Sequence, residues 1–107
     1  TSMKLSIDSF STWPKKDGLL ILGAMFELGE ASAFEHQSIV NHLNSLDLQN
    51  QSILIGKHFN TTNWVGTKFE STEKLVAYWK KKGAPTDASI LLKGSRGIAL
   101  ETLMHML

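Results

Sequence analysis

Leu19-Leu20-Ile21-Leu22, set between Gly18 and Gly23, is the stretch that decides the fold. The run is continuously apolar, too short for a helix and without polar alternation. It therefore reads as a strand over Leu19 to Gly23, buried on both faces of a parallel sheet. Ser52-Ile53-Leu54-Ile55-Gly56 repeats the pattern, and Ser89-Ile90-Leu91-Leu92 gives it once more. Val65 to Phe69 is a weaker strand because Gly66 interrupts it.

Helical signals fill the intervals. Met3, Ile7 and Phe10 line one face of a helix ending near Ser11 or Thr12, stopped by Trp13-Pro14 and Asp17-Gly18. Ser32-Ala33-Phe34-Glu35 has the form of a capping box, opening a helix whose inner face is His36, Ile39, Val40, Leu43 and Leu46. The polar segment Lys57 to Asn63 has the look of a short helix. Ser71-Thr72-Glu73 supplies an N-cap with an acid in the first turn, followed by the apolar Leu75, Val76 and Trp79. Lys80-Lys81-Lys82 closes that helix as a solvated end complementing its dipole. Ala99 to Leu107 forms the last helix, with Leu100, Leu103, Met104 and Leu107 on one side. Strands alternating with helices predict an α/β fold, a mostly parallel sheet covered on both faces in three layers. Ligands then meet the loops beyond the strands' carboxyl ends: Gly23 to Glu30, Gly56 to Asn63 and Lys93 to Gly97.

The 107 residues, 42% hydrophobic and 20% charged, fit one compact domain with a real core. Eleven Lys and Arg against ten Asp and Glu leave a formal charge of +1, no basis for holding a nucleic-acid backbone. Without cysteine, the chain has no disulfides, thiolate metal sites or thiol nucleophiles, which suits a reducing compartment, the cytoplasm by default. The longest apolar stretch, Gly18 to Phe26, is too short to span a bilayer, so no membrane role is expected. The opening Thr1-Ser2-Met3 reads as a piece cut from a longer protein.

No nucleotide engine is visible. Gly56-Lys57 lacks the earlier glycine of a P-loop, position 51 being Gln51, and His58 stands where a magnesium-binding hydroxyl would be needed. A phospho-receiver fails because the strands end in Gly23-Ala24 and Gly56, without acceptor carboxylates. The strongest local signal is Lys93-Gly94-Ser95-Arg96-Gly97, between a buried strand and a helix. Two cations, a hydroxyl and exposed amides at a helix N-terminus suit a carboxylate or phosphate, and the glycines suit close approach or positive φ. The alternative is a surface turn with solvated cations. Met25 to Glu30 carries Glu27, Gly29 and Glu30 beside Phe26 and Leu28, either capping the core or touching a ligand. His36 reads as a satisfied core histidine or an edge of the site, and no histidine spacing suggests a metal.

Three ordered motifs carry a resemblance. Leu22-Gly23-Ala24-Met25-Phe26-Glu27-Leu28-Gly29, then His36, then Leu92-Lys93-Gly94-Ser95-Arg96-Gly97 with Glu101 behind it, resemble the C-terminal domain of the UDP-N-acetylmuramoyl-tripeptide:D-alanyl-D-alanine ligases, of the Mur ligase family. The family pattern is L-G-D-M-x-E-L-G, a histidine early in the next helix, and V-K-G-S-R-x-x-x-M-E. The resemblance covers the whole chain and implies a Rossmann-like domain of a longer, cytoplasmic, ATP-dependent amide ligase of bacterial cell-wall synthesis. In that family a central P-loop domain holds ATP and Mg2+, and an N-terminal domain holds the uridine nucleotide. The C-terminal domain swings in to complete the site for UDP-N-acetylmuramoyl-tripeptide and D-alanyl-D-alanine. By carry-over, Lys93, Gly94, Ser95 and Arg96 bind substrate, Glu27, Gly29 and His36 lie at the site edge, and the fragment holds no metal and no catalytic residue of its own. The isolated domain is expected to be inactive. One departure stands out: the family's aspartate after L-G is Ala24, leaving Glu27 or Glu30 to supply a carboxylate if one is needed. The competing expectation is a free-standing, non-catalytic α/β module binding a small anion.

Overall fold

A computed structural model describes residues 2–14 and 18–106, without the side chains of Ser2 and Arg96. The helix α1 (Ser2–Phe10) leads into β1 (Gly18–Gly23), followed by α2 (Ser32–Ser45), β2 (Ser52–Ile55), β3 (Thr67–Phe69), α3 (Thr72–Lys82) and β4 (Ser89–Lys93). All strands are parallel in the order β3-β2-β1-β4, with β1 in the centre. Its own residues show why. Leu20 and Leu22 pack into a cluster with Met3, Ile7 and Val40 from α1 and α2, while Ile21 packs into the opposite cluster with Leu75 and Trp79 of α3. A strand with apolar neighbours on both sides has no place for a polar residue, hence the unbroken apolar run.

Most expected elements form within a residue or two of their sequence limits. The exceptions have physical causes. The capping box does not form: Ser32 is already helical, because a 3₁₀ turn over Gly29–Ala31 runs straight into α2, and its Oγ lies 3.3 Å from His36 Nδ1 instead. β3 begins only at Thr67. The Trp64 indole covers Gly66 so closely that a Cβ there would lie 2.5 Å from the ring, and Trp64 Nε1 donates to the Thr67 carbonyl at 3.0 Å. The last helix is 3₁₀ over Leu100–Met106. Its threefold repeat turns Leu100 and Leu103 into the core and leaves Met104 exposed, against the α-helical expectation. Leu107 and Asp17 lie outside the described residues. The Ser71 cap does form, its hydroxyl accepting from the Lys74 amide at 3.3 Å. Among the described residues no helix is long and apolar enough to cross a membrane.

Candidate functional site

Because the strands run parallel, their exits share one edge. Backbone bonds knit it together: Ala24 donates to the Ile55 carbonyl at 2.7 Å and Gly56 to the Phe69 carbonyl at 2.9 Å. Register pairs Leu22 with Lys93 and Gly23 with Ile55, so the segments after β1, β2 and β4 emerge side by side.

The loops after β1 and β4 are joined directly. Phe26 N–H donates to Ser95 Oγ at 3.2 Å, linking residues 69 apart in sequence. Gly97 lies under the Phe26 ring, where a Cβ would fall 2.2 Å from Cε2. Ile98 covers Gly23, its Cγ2 being 2.9 Å from where a Cβ would stand. The glycines of the K-G-S-R-G segment are thus explained by internal close approach, and the described glycines with positive φ are Gly29, Gly56 and Gly83. The expected helix N-terminus is also corrected. A single 3₁₀ turn over Arg96–Ile98 follows Ser95, and Ala99, at φ 57°, interrupts it before the next 3₁₀ segment. So short a run sums little dipole, and the loop has no helix end of the kind that attracts an anion. Lys93 is half-buried at the strand end and Ser95 half-buried in the loop, while the Arg96 side chain lies outside what is described.

On the β1 side, Glu27 is exposed and held at φ 63°. Gly29, at φ 56°, has open space around its Cα. Glu27 and Glu30 both face solvent, whereas Ala24 is fully buried against Gly56, so the neighbouring carboxylates occupy a different environment from the side chain at 24.

His36 is fully buried, with both ring nitrogens hydrogen-bonded. Met25 N–H can only donate, so His36 Nε2 accepts from it at 3.0 Å, and the proton on Nδ1 goes to the Ser32 carbonyl at 2.7 Å. That fixes a neutral tautomer. Burial pushes the pKa below the ordinary 6.5 as the largest influence; the Ser32 hydrogen bond opposes it, and His58 adds to the lowering. His36 therefore braces the loop that carries Phe26 and Glu27.

Sequence reasoning missed two neighbours. His58 stacks on His36 with ring centroids 5.2 Å apart and leans against Phe26 at 5.3 Å; its Nδ1 is buried without a hydrogen-bond partner among the described residues. Thr72 Oγ1 donates to the Ile98 carbonyl. Neither has a local signal, since each acts on a residue brought close only by the sheet. Phe26, Lys57, His58, Glu70, Thr72 and Ile98 line a cavity of about 240 Å³ beside the joined loops. Among the described residues no group of three His, Asp or Glu side chains could hold a metal.

Compared with models of known protein families and with curated proteins, the chain matches none.

Proposed function

We propose that this chain is the C-terminal closing domain of an ATP-dependent ligase that adds D-alanyl-D-alanine to UDP-N-acetylmuramoyl-tripeptide. The observation that carries the reading is the hydrogen bond from Phe26 N–H to Ser95 Oγ. It unites the L-G-x-M-x-E-L-G and K-G-S-R segments, on which the resemblance rests, in one surface at the sheet's carboxyl edge. His36, the remaining motif residue, holds the same loop through Met25.

In this reading the tripeptide carboxylate takes the γ-phosphoryl group of ATP, releasing ADP, to become an acyl phosphate; the dipeptide amine attacks the acyl carbon, phosphate leaves and the amine gives up a proton to solvent. ATP and Mg2+ belong, in this reading, to the central P-loop domain that the resemblance implies. The chain's contribution is to close over the reactants, exclude water from a hydrolysable intermediate and present Lys93, Ser95 and Arg96 to anionic groups. The Ser95 oxygen accepts from Phe26, which leaves its own proton free to donate outward.

The test uses the full-length protein with the dipeptide varied. Arg96→Ala is expected to lower kcat/KM for D-alanyl-D-alanine roughly tenfold to a hundredfold, the loss of one charge-assisted hydrogen bond, with unchanged thermal stability. Arg96→Lys should recover only part, because an ammonium cannot reproduce a planar fork. Failure of the full-length protein to join the two substrates, or dipeptide kinetics indifferent to Arg96, overturns the proposal. Anion binding without ligation would identify the non-catalytic module instead.

A further inference from the structure

Thr72 opens α3 and is 2% exposed, yet its hydroxyl does not serve its own helix. Ser71 already caps α3, so the Thr72 hydroxyl is free of that duty. A buried hydroxyl needs a partner, and the one it has is the Ile98 carbonyl, 26 residues away in the turn that follows K-G-S-R.

From that carbonyl the connections continue. Ile98 N–H donates to the Ser95 carbonyl at 3.0 Å, and Ser95 Oγ accepts from Phe26 N–H. A run of hydrogen bonds thus passes from the first turn of α3, through the K-G-S-R loop, to the loop after β1. The loop needs such restraint. Gly94 and Gly97 give it little conformational stiffness of their own, and Ala99 sits in the left-handed region that costs a side-chain-bearing residue free energy.

We infer that Thr72 is a positioning residue for the K-G-S-R loop: through Ile98 its hydroxyl sets where Ser95 and Lys93 meet the incoming dipeptide. The inference rests on the ligase reading for the identity of the substrate, but not for the existence of the latch.

Thr72→Val, Thr72→Ala and Thr72→Ser are compared in the full-length protein. Val removes the hydroxyl at constant shape; Ala does so without placing a methyl against the carbonyl. Both are expected to raise KM for D-alanyl-D-alanine about five- to tenfold while leaving KM for ATP unchanged, and Ser should restore the dipeptide KM to within about twofold. Amide hydrogen exchange over residues 95–99 should speed up about tenfold in Val and Ala and return in Ser, with the α3 core amides of Leu75 and Trp79 protected as in the unsubstituted protein. Unchanged exchange over residues 95–99 in both Val and Ala, or a Ser variant that behaves like them, overturns the latch. Unchanged dipeptide KM with accelerated exchange overturns its role in positioning. If exchange responds as expected but the unsubstituted protein joins no peptides, the latch stands and the ligase reading falls.

Discussion

Gly94 and Gly23 meet backbone against backbone: a Cβ on Gly94 would stand 2.8 Å from the Gly23 Cα. The chain leaving β4 crosses the end of β1 at the point where their onward paths diverge to opposite faces of the sheet, one into α2 and the other, through Leu100 and Leu103, against α3. In open parallel sheets this divergence makes the ligand crevice. Here Ile98 and Phe26 fill it, so a ligand of this edge must rest on the joined loops or enter the neighbouring cavity.

Gly94→Ala is expected to destabilise the protein by about 1–3 kcal/mol, because backbone on backbone has no side chain that can swing aside. At Gly97 the three atoms nearest an added Cβ all belong to the Phe26 ring, which can turn away, so Gly97→Ala should cost less. Pairing Gly97→Ala with Phe26→Ala should cost less than the sum of the two single changes, as the clash disappears with the ring. Denaturant melts of the four proteins check this, and additivity within about 0.5 kcal/mol would show that residue 97 and the ring do not compete for space.

His36 makes stability depend on pH with a definite sign. Its folded pKa lies below 6.5, so as pH falls through that value the unfolded chain takes up a proton that the folded chain refuses. Stability should decline from about pH 6.5 downward until the folded pKa is passed, and should not depend on this residue above about pH 7.5. His36→Gln keeps an acceptor for Met25 N–H but does not titrate, so melting temperature should fall less steeply with acid in that variant. An identical slope in both would remove His36 as the cause.

Ser71→Ala removes the side chain that caps α3 and should cost about 1 kcal/mol. Ser71→Asp, whose carboxylate also accepts from the Lys74 amide and favours the positive end of the helix dipole, should recover most of it. Thermal melts at matched pH distinguish this from a general effect of substitution, since loss in both variants alike would mean that the cap contributes little.

The layers were legible in the sequence because each signal for them is local. Leu19 to Leu22 lacks polar residues, and burial on two faces is the condition that produces such a run. Features set by distant contact were not legible. Ser32 followed by Glu35 has a capping pattern, but whether the backbone before it is already wound depends on the Gly29–Ala31 turn. Gly94 and Gly97 announced a close approach without naming the partner, which proved to be Gly23 and Phe26. His36 could not be assigned because its role depends on a backbone amide 11 residues earlier, presented by the end of β1. Thr72 looked like part of a cap, and only the packing of α3 against the turn after β4 gives its hydroxyl a separate task.

The strand order carries a consequence for how the molecule is made. β1 pairs with β2 on one side and with β4 on the other, and of the four strands among the described residues β4 leaves the ribosome last. Until Ser89–Lys93 emerges, the central strand has an open, wholly apolar edge, a template for pairing with other chains. Premature termination anywhere before residue 89 would leave that edge permanently bare. The K-G-S-R loop directly follows the strand that covers this edge, so a nascent chain joins Ser95 to Phe26 in the same step that moves the sheet's open edge from the buried β1 to the outer strand β4.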